Sequence, residues 1–392
     1  MYTTSKIGLE PNLLTSFYPS FTMWRDLPFD LLANIFYFLS PDSLACARST
    51  CQQWHNCAKT RPLSRSHQHP DWFMALPNRS HTQFCYAQNS ISKNWYSLPL
   101  DFLPGAGAVK PLASVKSLLL FKTTSPTYPH LVVCNPFTKE YKQLPKLNMS
   151  RSNPAVGVIA LDDSSRNVSF PCFQVYVAGG MSDSPTGCST YEYTLEMYDS
   201  RHDTWQVVGS LPMEFAVRLT VWTPNDNVYC NGVVYWITSA RAYSLMGFDI
   251  LSNTWRELRV PLASKLEFAS IVLRNEKLTL VGGTYGDSAS VWELGQGDIW
   301  VLVGKVPVEL RKKFLGEKES WVSTKCVSSN GAIYLYRDLE TGMIVWKEKD
   351  YQKGNWEWFW NEGCSSIRGR RVPNLQIKGV IIPPNLCPSC FF

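Results

Sequence analysis

Metal chemistry needs several carboxylate, imidazole or thiolate ligands converging on one point. Two stretches of this chain offer a beginning. Glu196, Asp199 and His202 form an E-x-x-D-x-x-H run. It spans a predicted hairpin turn, where Asp and His serve equally well as turn and surface residues. Cys387 and Cys390 form a C-x-x-C pair, but no second pair follows to complete a tetrahedral zinc site. The six histidines stand at 55, 67, 69, 81, 130 and 202. Three of them crowd into the first seventy residues, away from the bulk of the chain. The phosphate-cradling patterns G-x-x-x-x-G-K-[ST] and G-x-G-x-x-G are absent, as is the zinc pattern H-E-x-x-H. The sequence therefore predicts no catalytic residue, no metal and no cofactor.

Charge and composition exclude other classes. Lys and Arg number 38 against 32 Asp and Glu, a net charge of +6 over 392 residues. Nucleic-acid domains carry a stronger, clustered basic face. Here the basic knots are short: Arg311-Lys312-Lys313, and Arg368 with Arg370-Arg371. No apolar run approaches the ~18 residues of a membrane span. Residues 1–23 are polar and aperiodic, and they show no secretory pattern. The 12 cysteines are scattered, and a chain this long does not need disulfide staples. An intracellular protein, cytoplasmic or nuclear, with reduced thiols is expected.

The elements that would position a site come in two kinds. Leu31, Leu32, Ile35, Phe36 and Leu39 recur at i, i+1, i+4, i+5 and i+8, an apolar stripe at helical period. Pro28 suits the first turn, where a missing N–H costs nothing. Ser40-Pro41 stops this helix and starts a second, over about 42–48. A third runs over about 50–59 with Cys51 and Trp54. Three helices this short cannot bury a good core alone, so the surplus apolar surface predicts a partner. Leu27-Pro28, Leu31-Leu32, Ile35-Phe36, Leu39-Ser40-Pro41, Leu44 and Cys51-Gln52-Gln53-Trp54 together resemble an F-box. The departures are Phe36 for Leu, Ser40-Pro41 at the L-P step, and Thr50 and Gln52 for Val and Lys. The resemblance covers 24–62, about a tenth of the chain. It implies docking on a Skp-family adaptor, and through it on a cullin, by Leu27, Pro28, Leu31, Leu32, Ile35, Leu44, Cys51 and Trp54.

After a linker at 63–71, residues 72–392 repeat one unit. It holds an apolar strand, a second strand, a turn, and an aromatic-led strand ending near Leu-Pro. The aromatics are Trp95, Tyr141, Trp205, Trp255, Trp300 and Trp356, a mean spacing of about 52 residues. The strand preceding each hairpin is read as the inner one: 117–121, 173–180, 228–236, 277–283 and 331–335. Gly179-Gly180 and Gly282-Gly283 follow β runs and predict sharp turns or close backbone approach. The third copy, Val177-Ala-Gly-Gly180 with Met197-Tyr-Asp199 and Trp205, is similar to the kelch consensus. The Leu-Pro endings resemble plant F-box-associated propellers. A short helix is expected at 308–316. The run 375–382 has strand character and can return to close the ring.

The expected architecture is a small all-α F-box of three helices followed by an all-β propeller of six blades. The expected role is substrate recognition in a Skp–cullin–F-box ubiquitin ligase, with loops of the propeller capturing an unknown target protein. Each Trp is expected in the core rather than against a ligand. The alternatives are a kelch scaffold without ubiquitin transfer, and a ligand-binding protein or metalloenzyme built in the propeller channel.

Overall fold

The computed structural model describes residues 27–37, 39, 43, 47, 50–60, 71–78, 84–90, 92–104, 109–123, 130–161, 172–183, 188–223, 227–329, 331–349 and 354–385. The N-terminal segment 1–23, most of the linker, Leu44, and Cys387 with Cys390 lie outside the described residues. The chain divides into two units, Met1–Ser64 and Arg65–Phe392.

The first unit contains α1 (Phe29–Tyr37) and α2 (Gln52–Thr60). Ser43 and Ala47, within the predicted second helix, are also helical.

The second unit is a ring of six four-stranded antiparallel sheets. Blade 1 orders Ile377–Ile382, Trp72–Pro77, Phe84–Asn89 and Trp95–Pro99. Blade 2 orders Val109–Val115, Leu118–Thr123, Leu131–Asn135 and Glu140–Gln143. Blade 3 orders Ala155–Ala160, Phe173–Ala178, Thr194–Asp199 and Thr204–Ser210. Blade 4 orders Asn227–Cys230, Val233–Ser239, Tyr243–Asp249 and Thr254–Arg259. Blade 5 orders Leu266–Arg274, Lys277–Thr284, Ser290–Leu294 and Trp300–Lys305. Blade 6 orders Lys325–Ser329, Ala332–Tyr336, Met343–Glu348 and Trp356–Asn361. In blade 1 the innermost strand comes from the C-terminal end of the chain. Ile377–Ile382 pairs with Trp72–Pro77 from Trp72↔Ile382 to Pro77↔Ile377. One sheet thus holds both ends of the propeller and removes an open edge.

The strands read as inner from the sequence are in fact second in each blade. The run 228–236 is two strands, broken by Asn231 (φ 50°) and Gly232 (φ 82°) in a tight turn. The true innermost strands are the ones before them, four to nine residues long. The two double glycines also differ in use. Gly179 and Gly180 have φ of 64° and 97° and do turn the chain. Gly282 and Gly283 stay inside their strand, and a Cβ on Gly283 would lie 2.5 Å from Trp321 Cγ. There the glycine makes room for an indole. The expected helix at 308–316 is present as Val308–Leu315, and a second insertion, the helix Met213–Val221, was not anticipated. Both follow a proline, Pro212 and Pro307, with nearly the same backbone angles.

Blade faces meet through buried apolar clusters between blades 2 and 3, 3 and 4, 4 and 5, 5 and 6, and 6 and 1. Trp72 and Phe137 join blades 1 and 2 edge to face at 5.6 Å. The repeated tryptophans add a directional bond. Trp95 Nε1 donates to Glu362 O at 3.4 Å, and Trp205 Nε1 to Pro145 O at 2.9 Å. Trp255 Nε1 donates to Ser210 O at 3.1 Å, and Trp300 Nε1 to Arg259 O at 2.8 Å. In every case the acceptor lies at the end of the preceding blade's outermost strand. Blade 2 has Tyr141 in this place, and in blade 6 the buried Nε1 of Trp356 has no partner among the described residues.

The innermost strands surround a central cavity of about 380 Å³. Each leaves one edge unpaired, and side chains of one blade reach across to carbonyls at the inner rim of the next. Ser114 Oγ donates to Ile381 O, Lys116 Nζ to Leu161 O, and Asn227 Nδ2 to Val158 O. Cys230 Sγ donates to Glu276 O, Ser270 Oγ to Cys326 O, and Lys325 Nζ to Ile377 O. These six bonds take in every neighbouring pair of blades in the ring.

Two outcomes follow. Trp205→Phe removes the bond to Pro145 and leaves that carbonyl unpaired, so it lowers stability by about 1–3 kcal/mol more than Trp356→Phe, which removes no such bond. Thermal melting of the two variants measures the difference. The nine described cysteines are free thiols. Burial pushes the Cys85 thiol up to about 12 and raises Cys134 well above the usual thiol range, while Cys188 is exposed. A thiolate is the reactive form. Maleimide at pH 8 therefore labels Cys188 in the folded protein and leaves Cys85 and Cys134 unlabelled until denaturant is added, as read by peptide mass spectrometry.

Candidate functional site

The E-x-x-D-x-x-H run is consumed by structure. Glu196 is fully buried beside Arg151, and its carboxylate also accepts from the backbone N–H of Asn148 at 2.7 Å and of Met149 at 3.0 Å. Arg151 spends its remaining donors on Met149 O, Gly179 O, Thr194 O and Thr194 Oγ1. This closed network ties the loop before blade 3 to that blade. Asp199 faces Arg201, whose guanidinium holds the carboxyl well below the usual range, and its Oδ1 also accepts from the Arg201 N–H. His202 is exposed, with Nδ1 3.8 Å from Asp199 Oδ2. Among the described residues, no three His, Cys, Asp or Glu groups are placed to share a metal ion.

The helical unit separates its apolar residues by face. Pro28 O accepts from Leu32 N at 3.0 Å, which closes the first turn of α1. Leu32 is 0% exposed and Phe36 1% exposed. Phe36 meets Trp54 of α2 edge to face at 5.4 Å. Gln53 Nε2 donates to Leu27 O at 3.2 Å, and Cys57 Sγ approaches Phe29 O at 3.6 Å. Leu31 and Ile35 stand on a different side of α1. They are 52% and 39% exposed, one helical turn apart, with Pro28 exposed beside them. The adjacent pairs Leu31-Leu32 and Ile35-Phe36 thus each send one side chain inward and one outward, as a rotation of 100° per residue requires.

The residues singled out from the sequence consequently fall into groups. Leu32 and Trp54 belong to the packing between α1 and α2. Leu27 and Cys51 are half-buried, each with a carbonyl tied to α2. Pro28, Leu31 and Ile35 form an exposed strip. The sequence reading missed Cys57, which is buried against α1; its signal was the spacing of Trp54 to Cys57, i to i+3 on one helix face. Among the described residues, no helix is long and apolar enough to cross a membrane.

Replacing Phe36 tests this packing. Phe36→Ala opens a cavity under Trp54 and costs the helical unit about 3–5 kcal/mol. Proteolysis of residues 27–60 then becomes fast while the propeller stays resistant.

Comparison with known proteins agrees with this division. Residues 24–66 match the F-box domain, and residues 112–353 match the F-box associated beta propeller domain. "F-box only protein 6" of Arabidopsis thaliana is 22% identical over 360 residues, covering 89% of this chain and 72% of that protein. An F-box/kelch-repeat protein of Arabidopsis thaliana is 25% identical over 245 residues, covering 61% of this chain and 60% of the relative. Among solved structures, YjhT is similar with a TM-score of 0.44 and 13% identity, covering 71% of this chain and 91% of that one. The exposed helix strip and the six-bladed ring are the two parts of an F-box protein, and the chain belongs to the F-box associated beta-propeller family.

Proposed function

We propose that this chain is the substrate-recognition subunit of a Skp–cullin–F-box ubiquitin ligase. Residues 24–62 dock the Skp-family adaptor, residues 63–71 link, and the propeller from 72 onward captures a target protein. The observation that carries this reading is the exposed strip of Leu31 and Ile35. A helix with one apolar side already buried has no folding reason to present a second, and such a strip marks a protein partner. The chain itself performs no chemistry. It raises the effective concentration of the target near the ubiquitin-loaded enzyme. This places its work where cullin ligases act, in cytoplasm or nucleus.

A catalytic reading of the channel has little to stand on. Ser114, Lys116 and Asn227, three of the polar side chains that line it, are engaged with neighbouring strands.

Copurification with a Skp-family adaptor tests the proposal. Burying a Leu or Ile contributes about 1.5–3 kcal/mol each. A charge left in that interface costs more. Leu31→Asp with Ile35→Asp is therefore expected to weaken adaptor binding by more than a hundredfold, with the circular dichroism spectrum unchanged. Leu32→Asp instead unfolds the helical unit. Undiminished adaptor binding by the double variant, or no cullin in the purified complex, overturns the reading.

A further inference from the structure

The loops that join blades at the end where the innermost strands begin are unequal. Two are long and carry helices: Met213–Val221 between blades 3 and 4, and Val308–Leu315 between blades 5 and 6. Between them lie the short connections of blades 4 and 5, residues 240–242 and 260–265. Hydrogen bonds make these connections one continuous floor. Ser239 N donates to Trp222 O at 3.1 Å, and Tyr243 N to Ala263 O at 3.1 Å. Tyr243 Oη donates to Glu267 O at 3.4 Å. The Glu267 carboxylate accepts from Ser320 Oγ and from Trp321 N at 3.1 and 2.7 Å. Gly286 N donates to Glu319 O at 3.4 Å and completes the span.

This floor exposes large apolar side chains together with unbalanced positive charge. Trp222 is 44% and Tyr285 70% exposed, and Leu262 and Val322 are exposed between and beside them. The acidic groups here are already engaged: Glu267 as above, Glu319 with Arg311 at 3.5 Å, and Asp287 with Lys305 at 3.0 Å. Arg241 and Lys265 are exposed and make no ion pair with any described residue. The acids that stay exposed on the flanks, Glu214, Glu309 and Glu317, belong to the insertions and not to the floor. Several other exposed apolar side chains of the propeller are scattered. Val207, Val301, Leu302 and Phe359 lie along outermost strands of three different blades, and Leu251 sits alone in a hairpin turn.

We propose that the floor over blades 4 and 5, between the two helical insertions, docks an acidic segment of the target protein bearing aromatic or branched aliphatic side chains. Trp, Tyr and Arg are the residue types that concentrate binding energy at interfaces, and Trp222, Tyr285 and Arg241 supply one of each. The two cations have no internal acid to satisfy them, so they select a negatively charged partner and steer its approach. The proposal rests on the reading that the propeller captures the target.

The test uses the full chain copurified with its adaptor and three pools of fluorescein-labelled dodecapeptides, read by fluorescence polarisation. One pool combines Asp and Glu with Trp, Phe and Leu. The second replaces the acids with Lys and Arg, and the third keeps the acids but replaces the apolar residues with Ser and Gly. The first pool is expected to bind at least tenfold tighter than the others and to weaken with added salt. Arg241→Glu with Lys265→Glu, and separately Trp222→Ala with Tyr285→Ala, are each expected to cost at least tenfold with the melting temperature unchanged. Equal binding of the second pool, no binding of the first, or indifference to both double variants overturns the assignment. Adaptor capture is measured in the same samples. If it persists while peptide binding fails, the floor assignment falls and the adaptor reading stands; if adaptor capture fails while the acidic pool binds, the reverse holds.

Discussion

A propeller blade is apolar on both faces, so no blade can stand alone in water. Each sheet here is covered only when two neighbours stand against it. The whole second unit therefore depends on ring closure, and closure depends on the pairing of Ile377–Ile382 with Trp72–Pro77. That pairing is a contact between the two ends of the propeller, with most of the ring lying between them in sequence. It gives every sheet four strands and both neighbours, and the cluster joining Phe73 and Ala75 to Tyr334, Tyr336 and Val345 is the apolar consequence.

Apolar burial alone is non-directional and would let blades slide past one another. The indole bonds remove that freedom. Four blades fix themselves to the preceding one through a Trp Nε1–H and a carbonyl at the end of its outermost strand. At the inner rim the bridges from Ser114, Lys116, Asn227, Cys230, Ser270 and Lys325 serve the unpaired strand edges. The blades are thus pinned at both radii, outside by tryptophan and inside by polar side chains. A ring held in this way can vary its loops freely, and the two helical insertions are such variations.

The helical unit obeys the opposite logic. It is too small to bury all its apolar residues, so α1 turns one side to α2 and leaves Leu31 and Ile35 outside. What would be a defect in a free-standing domain would serve association in the proposed ligase subunit. The same contrast separates the two kinds of charge in the molecule. Arg151 and Glu196 are buried, fully bonded and structural, whereas Arg241 and Lys265 face outward with no acid of their own.

Sequence alone determined the repeat and its copy number. A tryptophan or tyrosine every fifty or so residues is a local pattern, and each copy carries its own turn and strand signals. It also determined the helical stripe, because neighbouring residues on a helix reveal its period. Apart from the closing run 375–382, it did not reveal which strand of each blade is innermost, since a four-residue strand such as Asn227–Cys230 has no readable period and is defined by its neighbours. It did not separate Leu31 from Leu32, because the stripe is two residues wide and only the position of α2 decides which side is buried. Nor did it distinguish Gly179-Gly180, which turn the chain, from Gly282-Gly283, of which Gly283 admits Trp321. Those choices belong to tertiary structure, because burial, close approach and ring closure are relations between segments far apart in the chain, and local spacing carries no record of them.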